Sequence, residues 1–366
     1  MSVGIFVNTP AQVHFFRNIS KQLEKRGHEV YILFRDYGET KNLIKELKLP
    51  AYLYSSSPDS KIGKILMLPV GVRRAAGYLR DNRVDLITGC GVYDAYTSFL
   101  LRKPAIIFTD SEPMANRLSF SIQFKLYLPF VNAVITPSSF REDLGEKHIR
   151  VNSFKELAYL HPNYFTPSDD IYDLLGIGKQ EEFAILRFNA FDAVHDVGIS
   201  GFSNEDKIRL VKELEKYVTV FISSEAGVPY EIKNRVMKIP KSRIHDALYY
   251  AKLLVADTGT MVTEAACLGT PAIRIRTHNV GVFAELDKKY RLISEVTDPN
   301  HAIQEAGQLI QEPNLKNDWR KKKERLLADK IDITQFMVWF VENYPQSFEA
   351  VKNDPQIQSK FRVFQG

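Results

Sequence analysis

A chain of 366 residues has room for two domains, each with a core of its own, and 45% hydrophobic with 25% charged residues is the mix of a globular protein. A net charge of +5 without an arginine-rich tract or basic block excludes nucleic acid as the expected partner and leaves anionic small molecules or a membrane surface. The only cysteines, Cys90 and Cys267, fall in different halves, so no disulfide is expected and a reducing compartment fits.

In chain order, residues 3–7 form an apolar strand that leaves through Asn8-Thr9-Pro10. From Val13 to Leu23 apolar residues recur at helical spacing, Gly27 ends that helix, and residues 29–34 are a second strand. Strands that are apolar throughout, joined by a helix, indicate a parallel sheet covered on both faces. The pattern continues through 85–88 into Gly89-Cys90-Gly91, then 105–108 and 133–136. Ligands bind beyond the carboxyl ends of such strands, so the loops 8–14, 89–94 and 110–116 are expected to line one cleft. The Gly89–Asp94 stretch is not a dinucleotide fingerprint, because Asp94 stands where the third glycine belongs.

Three residues of this half are candidates for acid–base chemistry. His14 opens a helix at a strand's carboxyl end, where it either packs on its aromatic neighbours or takes a proton from an acceptor hydroxyl. Asp110 and Glu112 share the same edge; either can act as a base, with pKa values driven apart by repulsion, and no third ligand suggests a metal site. The run from Lys61 to Arg80 and the run 119–131 are apolar with basic flanks, which suits either buried helices or a surface resting on anionic lipid.

Residues 160–170 (LHPNYFTPSDD) read as a linker. A second α/β unit follows, with strands at 183–187 and 218–222 and helices at 205–216 and 242–251. Arg187 closes its first strand and offers a fork for a diphosphate or for an ion pair at the domain edge. Ser223 and Ser224 close the next strand with hydroxyls. The centre of the half is KLLVADTGTMVTEAACLGTPAIRIR, residues 252–276: a strand, the turn Asp257-Thr258-Gly259-Thr260, a helix stopped by Gly269 and Pro271, and another strand. The free N–H groups and dipole at such a helix start attract an anion, and small turn residues let a phosphate approach. With Thr260 as N-cap, Glu264 lies one position past a capping-box carboxylate, so it either offsets the dipole or holds sugar hydroxyls. Arg274 and Arg276 share one strand face; they line a pocket edge around an anion or carboxylate, or they are solvated on an edge strand. Residues 313–330 form a polar, lysine-rich helix, and 333–344 an apolar one.

The pattern D-T-G-T-x-x-T-E-A-x-x-L-G-T-P-A-I resembles the donor-nucleotide element of GT-B glycosyltransferases of the MurG type and of non-hydrolysing UDP-N-acetylglucosamine 2-epimerases. The stretches Val13-His14-Phe15-Phe16-Arg17-Asn18 and Lys155-Glu156-Leu157-Ala158-Tyr159-Leu160-His161-Pro162 resemble the DUF354 family, a mainly archaeal group, and the similarity runs from Gly4 to about Tyr344. The resemblance implies α/β GT-B architecture: two Rossmann-like, doubly wound parallel-sheet domains facing across a cleft, at 1–163 (acceptor side) and 164–332 (donor side). A helix within 333–366 would return to the first domain, ahead of a polar tail. It implies a glycosyltransferase using a nucleotide-diphosphate sugar, a UDP-sugar by preference, with no metal or other cofactor required and a glycan or lipid-linked acceptor. The run from Lys61 to Arg80 would then be a peripheral membrane contact. The expected location is cytoplasmic, at most peripheral on the inner membrane face, since no run approaches the ~18–20 apolar residues of a span and no cleavable signal precedes the first strand.

By the same resemblance Thr258, Gly259, Thr260, Glu264 and Arg187 serve the donor, joined by Asp257, Ser223, Ser224, Arg274, Arg276 and His195. The epimerases carry a glutamate much like Glu112 followed by an Asn-Arg pair like Asn116-Arg117, but the loop around His195 lacks their His-Arg-x-Glu-Asn pattern. Retaining GT-B enzymes carry two glutamates eight apart; Ala256 stands eight residues before Glu264, which favours inversion. An epimerase is the alternative activity, and a non-catalytic nucleotide or anionic-glycan binder the further one.

Overall fold

Among the described residues every strand of the two sheets pairs parallel with its neighbours, so the connections within each sheet are crossovers and the helices lie on the sheet faces. The computed structural model describes residues 1–56, 61–112, 118–188, 201–224, 227–275 and 280–362. It divides into two units, Met1–Tyr159 with Lys330–Gly366, and Leu160–Asp329; the boundaries at 159/160 and 329/330 stand against 163/164 and 332/333 from the sequence.

The first unit runs β1 (Ser2–Val7), α1 (Pro10–Lys25), β2 (Glu29–Asp36), α2 (Thr40–Glu46), β3 (Ala51–Ser56), α3 (Lys61–Asp81), β4 (Leu86–Gly89), α4 (Val92–Leu101), β5 (Ala105–Phe108), α5 (Leu118–Tyr127), β6 (Ala133–Pro137) and β7 (His148–Val151), with α6 (Leu157–Leu160) at the boundary. Its seven strands are ordered β3-β2-β1-β4-β5-β6-β7, so the winding reverses between β1 and β4. One sheet face is covered by α3, whose Val72, Ala75 and Leu79 meet Phe6, Leu33, Tyr54 and Ile87. On that face α4 and α5 pack Ala95, Phe124 and Tyr127 against Ala105, Ile107 and Val134. On α1, Phe15 meets Phe108 with ring centroids 4.6 Å apart.

The second unit contains α7 (Ile171–Leu175), β8 (Phe183–Phe188), α8 (Asn204–Leu214), β9 (Thr219–Ser224), α9 (Ile244–Tyr250), β10 (Leu253–Ala256), α10 (Thr260–Leu268), β11 (Ala272–Ile275), α11 (Gly281–Ala284), β12 (Ile293–Val296), α12 (Pro299–Leu309) and α13 (Leu315–Asp329). Its strand order, β12-β11-β10-β8-β9, reverses between β8 and β10. Leu186, Phe188, Val255, Ile273 and Val296 form one apolar face under α8 and α12. The lysine-rich α13 packs on the unit: Leu315, Leu326 and Leu327 are buried, and Lys316 Nζ donates to the carbonyls of Tyr249 and Ala251 at 2.7 and 2.8 Å, closing the end of α9.

The chain then returns to the first unit through α14 (Ile333–Glu342) and α15 (Gln346–Asn353). Glu342 of α14 takes Arg26 at 2.7 Å and His28 at 2.8 Å, and Thr334 Oγ1 donates to the Ala158 carbonyl that also accepts Asn18 Nδ2. The tail that the sequence leaves unplaced is held by a bridge between Ile331 and Arg362. Among the described residues no helix is long and apolar enough to cross a membrane.

At the β4–α4 turn the chain supplies its own hydrogen-bond acceptor. Asp94 folds back so that both carboxylate oxygens accept the Gly91 N–H at 3.0 Å, and a Cβ on Gly89 would collide with that carboxylate. This explains the residue that spoils the glycine fingerprint: Asp94 occupies the place a phosphate would take. Burial pushes its pKa up from 3.8 to about 7, against the pull of the N–H groups of Gly91, Asp94 and Ala95. The folded state therefore keeps a proton that the unfolded chain releases, and between pH 4 and 7 stability falls as pH rises, by about 4 kcal/mol at most. Urea titrations across that window are expected to show the decline in the wild type and its absence in Asp94→Asn.

Candidate functional site

The turn from Asp257 to Thr260 leaves β10 at the point where the second sheet reverses its winding, the place where open α/β sheets bind ligands. The N-cap of α10 is Gly259, one residue before the expected Thr260, and it offers no side chain. The Gly259 carbonyl accepts the first helical bonds, from Val262 and Thr263 at 3.1 Å each. The N–H groups of Thr260 and Met261 thus have no acceptor within the helix, and no acidic residue stands in the first turn. By contrast α1, α8, α12 and α14 are capped by Thr9, Ser203, Asp298 and Asp332. Thr258, Gly259 and Thr260 are half-exposed, and Thr258 Oγ1 is enclosed without a hydrogen-bond partner among the described residues. Phe283 covers one side of Gly259: a Cβ there would lie 2.7 Å from its ring, so only glycine fits.

A row of side chains crosses the sheet beside this turn. Ser223, Arg187, Ala256, Arg274 and Glu295 are register partners on adjacent strands and therefore share one face, opposite the apolar core. Ala256 separates the two arginines. Arg187 is half-buried and donates from Nη1 to Ser223 Oγ at 3.0 Å, while Ser224 Oγ donates to the Phe188 carbonyl at 3.3 Å. Arg187 is also tied to the turn, since its carbonyl accepts the N–H of the buried Asp257 at 3.2 Å.

Two expectations for this region are corrected. Arg274 is 1% exposed on an interior strand; Glu295 pairs with it, and its guanidinium stacks 3.7 Å from the Phe283 ring centroid. The solvated-edge reading fails, and the anion beside Arg274 is the chain's own carboxylate. With Gly259 as N-cap, Glu264 lies in the second helical turn, not the first, so it does not offset the dipole there. Its carboxylate is buried and meets His245 Nε2 of α9 at 3.0 Å. His195, Arg276 and the pair Asn116-Arg117 lie outside the described residues.

In the first unit the two stretches that resemble DUF354 pack on one another. His14 is buried in α1 with its ring stacked on Tyr159, centroids 5.2 Å apart, and Asn18 bonds the Ala158 carbonyl at 2.9 Å. Asp110 and Glu112, expected to act on one another, have separate partners. Asp110 Oδ2 accepts from Lys155 Nζ at 2.6 Å, and Glu112 Oε1 accepts the Arg141 N–H at 3.2 Å. Burial alone would lower the Lys155 pKa, but Asp110 and Glu156 together hold it well above the usual lysine value. The reversal point between β1 and β4 is filled by the chain itself: Tyr54 Oη donates to Asn8 Oδ1 at 2.5 Å, beside the Asp94–Gly91 contact. Among the described residues no three His, Cys, Asp or Glu side chains are grouped to hold a metal ion.

Sequence reading missed Lys155, His245, Phe283 and Glu295. Lys155 stood inside a quoted motif without a role, and Glu295 interrupts a strand that the apolar pattern does not mark. The buried pair gives a direct check. Arg274→Met strands the Glu295 carboxylate and is expected to destabilise the protein by about 3–5 kcal/mol in urea unfolding. Arg274→Met with Glu295→Leu should recover most of that loss.

The fold has close counterparts among solved structures. A UDP-GlcNAc 2-epimerase from Neisseria meningitidis, bound to UDP-GlcNAc, is similar with a TM-score of 0.65 and 11% identity over 94% of this chain and 100% of that one. The Streptomyces sp. SF2575 glycosyltransferase SsfS6, complexed with thymidine diphosphate, has a TM-score of 0.56 and 13% identity over 92% and 99%. The chain thus has the GT-B fold. "Uncharacterized protein MJ0665" of Methanocaldococcus jannaschii is 24% identical over 313 residues, 80% of this chain and 87% of that protein. Residues 1–345 match the family described as "Protein of unknown function (DUF354)", and the chain belongs to that family.

Proposed function

We propose that the second unit binds a nucleoside diphosphate sugar, a UDP-sugar by preference, and that the protein transfers the sugar to an acceptor with inversion. The observation that carries this reading is the uncapped start of α10 at the reversal of the second sheet, with Arg187 one strand away. A departing diphosphate needs its new negative charge met by preorganised donors, and helix-start N–H groups with a guanidinium supply them without a required metal. Thr258, Gly259 and Thr260 then hold the phosphates, aided by Arg187 and the Ser223 hydroxyl that orients it. His195 and Arg276 complete the donor side in this reading.

His14, Asp110 and Glu112 stand at the carboxyl edge of the first sheet, and we assign the acceptor's proton to this group. The exposed Leu66 and Val70 of α3, with Arg73 and Arg74 on the same helix, support a peripheral contact of this unit with the inner membrane face and a lipid-linked acceptor. An epimerase reading has its own support: the similar epimerase has the higher TM-score, 0.65 against 0.56 for the glycosyltransferase. Both chemistries break the bond between the anomeric carbon and the diphosphate, so both use the α10 site.

UDP at a hundredfold excess over Kd is expected to stabilise the protein by about 2.7 kcal/mol, read as a rise in melting temperature. Arg187→Ala should remove most of that rise and leave the unliganded melting temperature nearly unchanged. Absence of any shift with UDP, TDP or GDP would sink the transferase and epimerase readings together. Incubation with UDP-N-acetylglucosamine alone separates them, since epimerised sugar without an acceptor identifies the epimerase. A shift with no turnover under either condition leaves the non-catalytic binder.

A further inference from the structure

Helices α3 and α4 end side by side at the amino-terminal edge of the first sheet, away from the Gly89–Asp94 turn, and their ends enclose a solvent-open cavity of about 190 Å3. It is lined by the buried Leu79 and Val84 and by Arg80, Arg83, Arg102 and Lys103, the three arginines exposed to solvent. Both helices close in the same way: the N–H groups of Arg83 and Val84 return to the carbonyls of Arg80 and Leu79, and those of Arg102 and Lys103 return to Phe99 and Ser98. Each closure puts an arginine in the left-handed region, with φ of 50° at Arg83 and 54° at Arg102. Glycine is the usual residue at such a position, because an L side chain is strained there.

A single cation at a helix end is explained by the dipole, and Lys48 and Arg291 show that conformation elsewhere. Four cations around one cavity are not, since like charges in proximity repel unless a counter-charge intervenes. Among the described residues, the guanidinium groups of Arg80, Arg83 and Arg102 have no ion pair or side-chain hydrogen bond, and the acid Asp85 reaches Lys103 only at 4.0 Å. Elsewhere Arg26, Arg209, Arg235, Arg243 and Arg274 each meet a carboxylate. Forked donors beside an apolar lining match a phosphate oxyanion carried on an apolar body.

We propose that this cavity binds a phosphate ester, with the phosphate held by Arg80, Arg83 and Arg102 and its apolar substituent on Leu79 and Val84. The site is separate from the α10 site and does not depend on the nucleotide-sugar reading. Phosphate esters occur free in solution and as lipid headgroups, and two probes distinguish these sources: phenyl phosphate by calorimetric titration of the full chain, and vesicles of phosphatidylglycerol in phosphatidylcholine by co-sedimentation.

The wild type is expected to bind phenyl phosphate more tightly than inorganic phosphate. In the R187Q background, where the other phosphate candidate is disarmed, R83Q/R102Q should weaken that binding at least tenfold relative to R187Q alone. R80Q, on a regular helical turn, gives an independent reading free of the left-handed positions, and unchanged melting temperatures verify the fold of each variant. Loss of retention on the anionic vesicles alone in R83Q/R102Q assigns the phosphate to a lipid headgroup and also supports the site. The proposal is overturned if the wild type binds neither probe, or if R83Q/R102Q and R80Q bind both as the wild type does.

Discussion

An α-helix that starts at a sheet's winding reversal without a cap presents N–H donors and half a positive charge with nothing of its own to meet them. This chain builds two such starts and treats them oppositely. At α4 the Asp94 carboxylate turns back onto Gly91, and Asn8 and Tyr54 fill the neighbouring reversal point. At α10 the cap is a glycine, the first turn carries no acid, and the threonines on either side of the glycine are half-exposed. The difference rests on one residue, an aspartate in the first turn of α4 against none in the first turn of α10. The contrast supports the proposal that the anion binds at the second unit.

The charged groups around the open start have partners. Glu295 pairs with Arg274, Arg274 carries the Phe283 ring, and Phe283 leaves room only for glycine at Gly259. His245 meets Glu264 one helix over. Buried pairs of this kind add little net stability, because desolvation offsets most of the attraction, but losing one partner is costly. They therefore hold the walls of the site in one geometry, which preorganised charge stabilisation requires. In the first unit Lys155 does the same for Asp110, donating to its carboxylate at 2.6 Å.

Much of the fold was legible because parallel strands buried on both faces are continuous apolar runs, as in residues 3–7, 105–108 and 253–255. The strands that escaped notice, β3, β7 and β12, all lie at sheet edges, where polar residues such as Ser55, Arg150 and Glu295 interrupt the run. The α10 turn was legible for a similar reason: small residues between an apolar strand and helix have few other structural uses. Partners were not legible. Nothing in the spacing of Arg274 or Glu264 points to Glu295 or His245, since those pairings arise from strand order and helix packing. The N-cap was misplaced by one residue because threonine can cap through its side chain while glycine leaves no side-chain signal. His195 and Arg276 fall outside the described residues.

The central claim is that the front of α10 grips a diphosphate. A crystal structure of the protein grown with UDP tests it most directly. The account expects the diphosphate on the N–H groups of Gly259, Thr260 and Met261, with an Arg187 nitrogen within hydrogen-bond distance of a phosphate oxygen. A diphosphate bound elsewhere in the chain, with the α10 start in water, would contradict it.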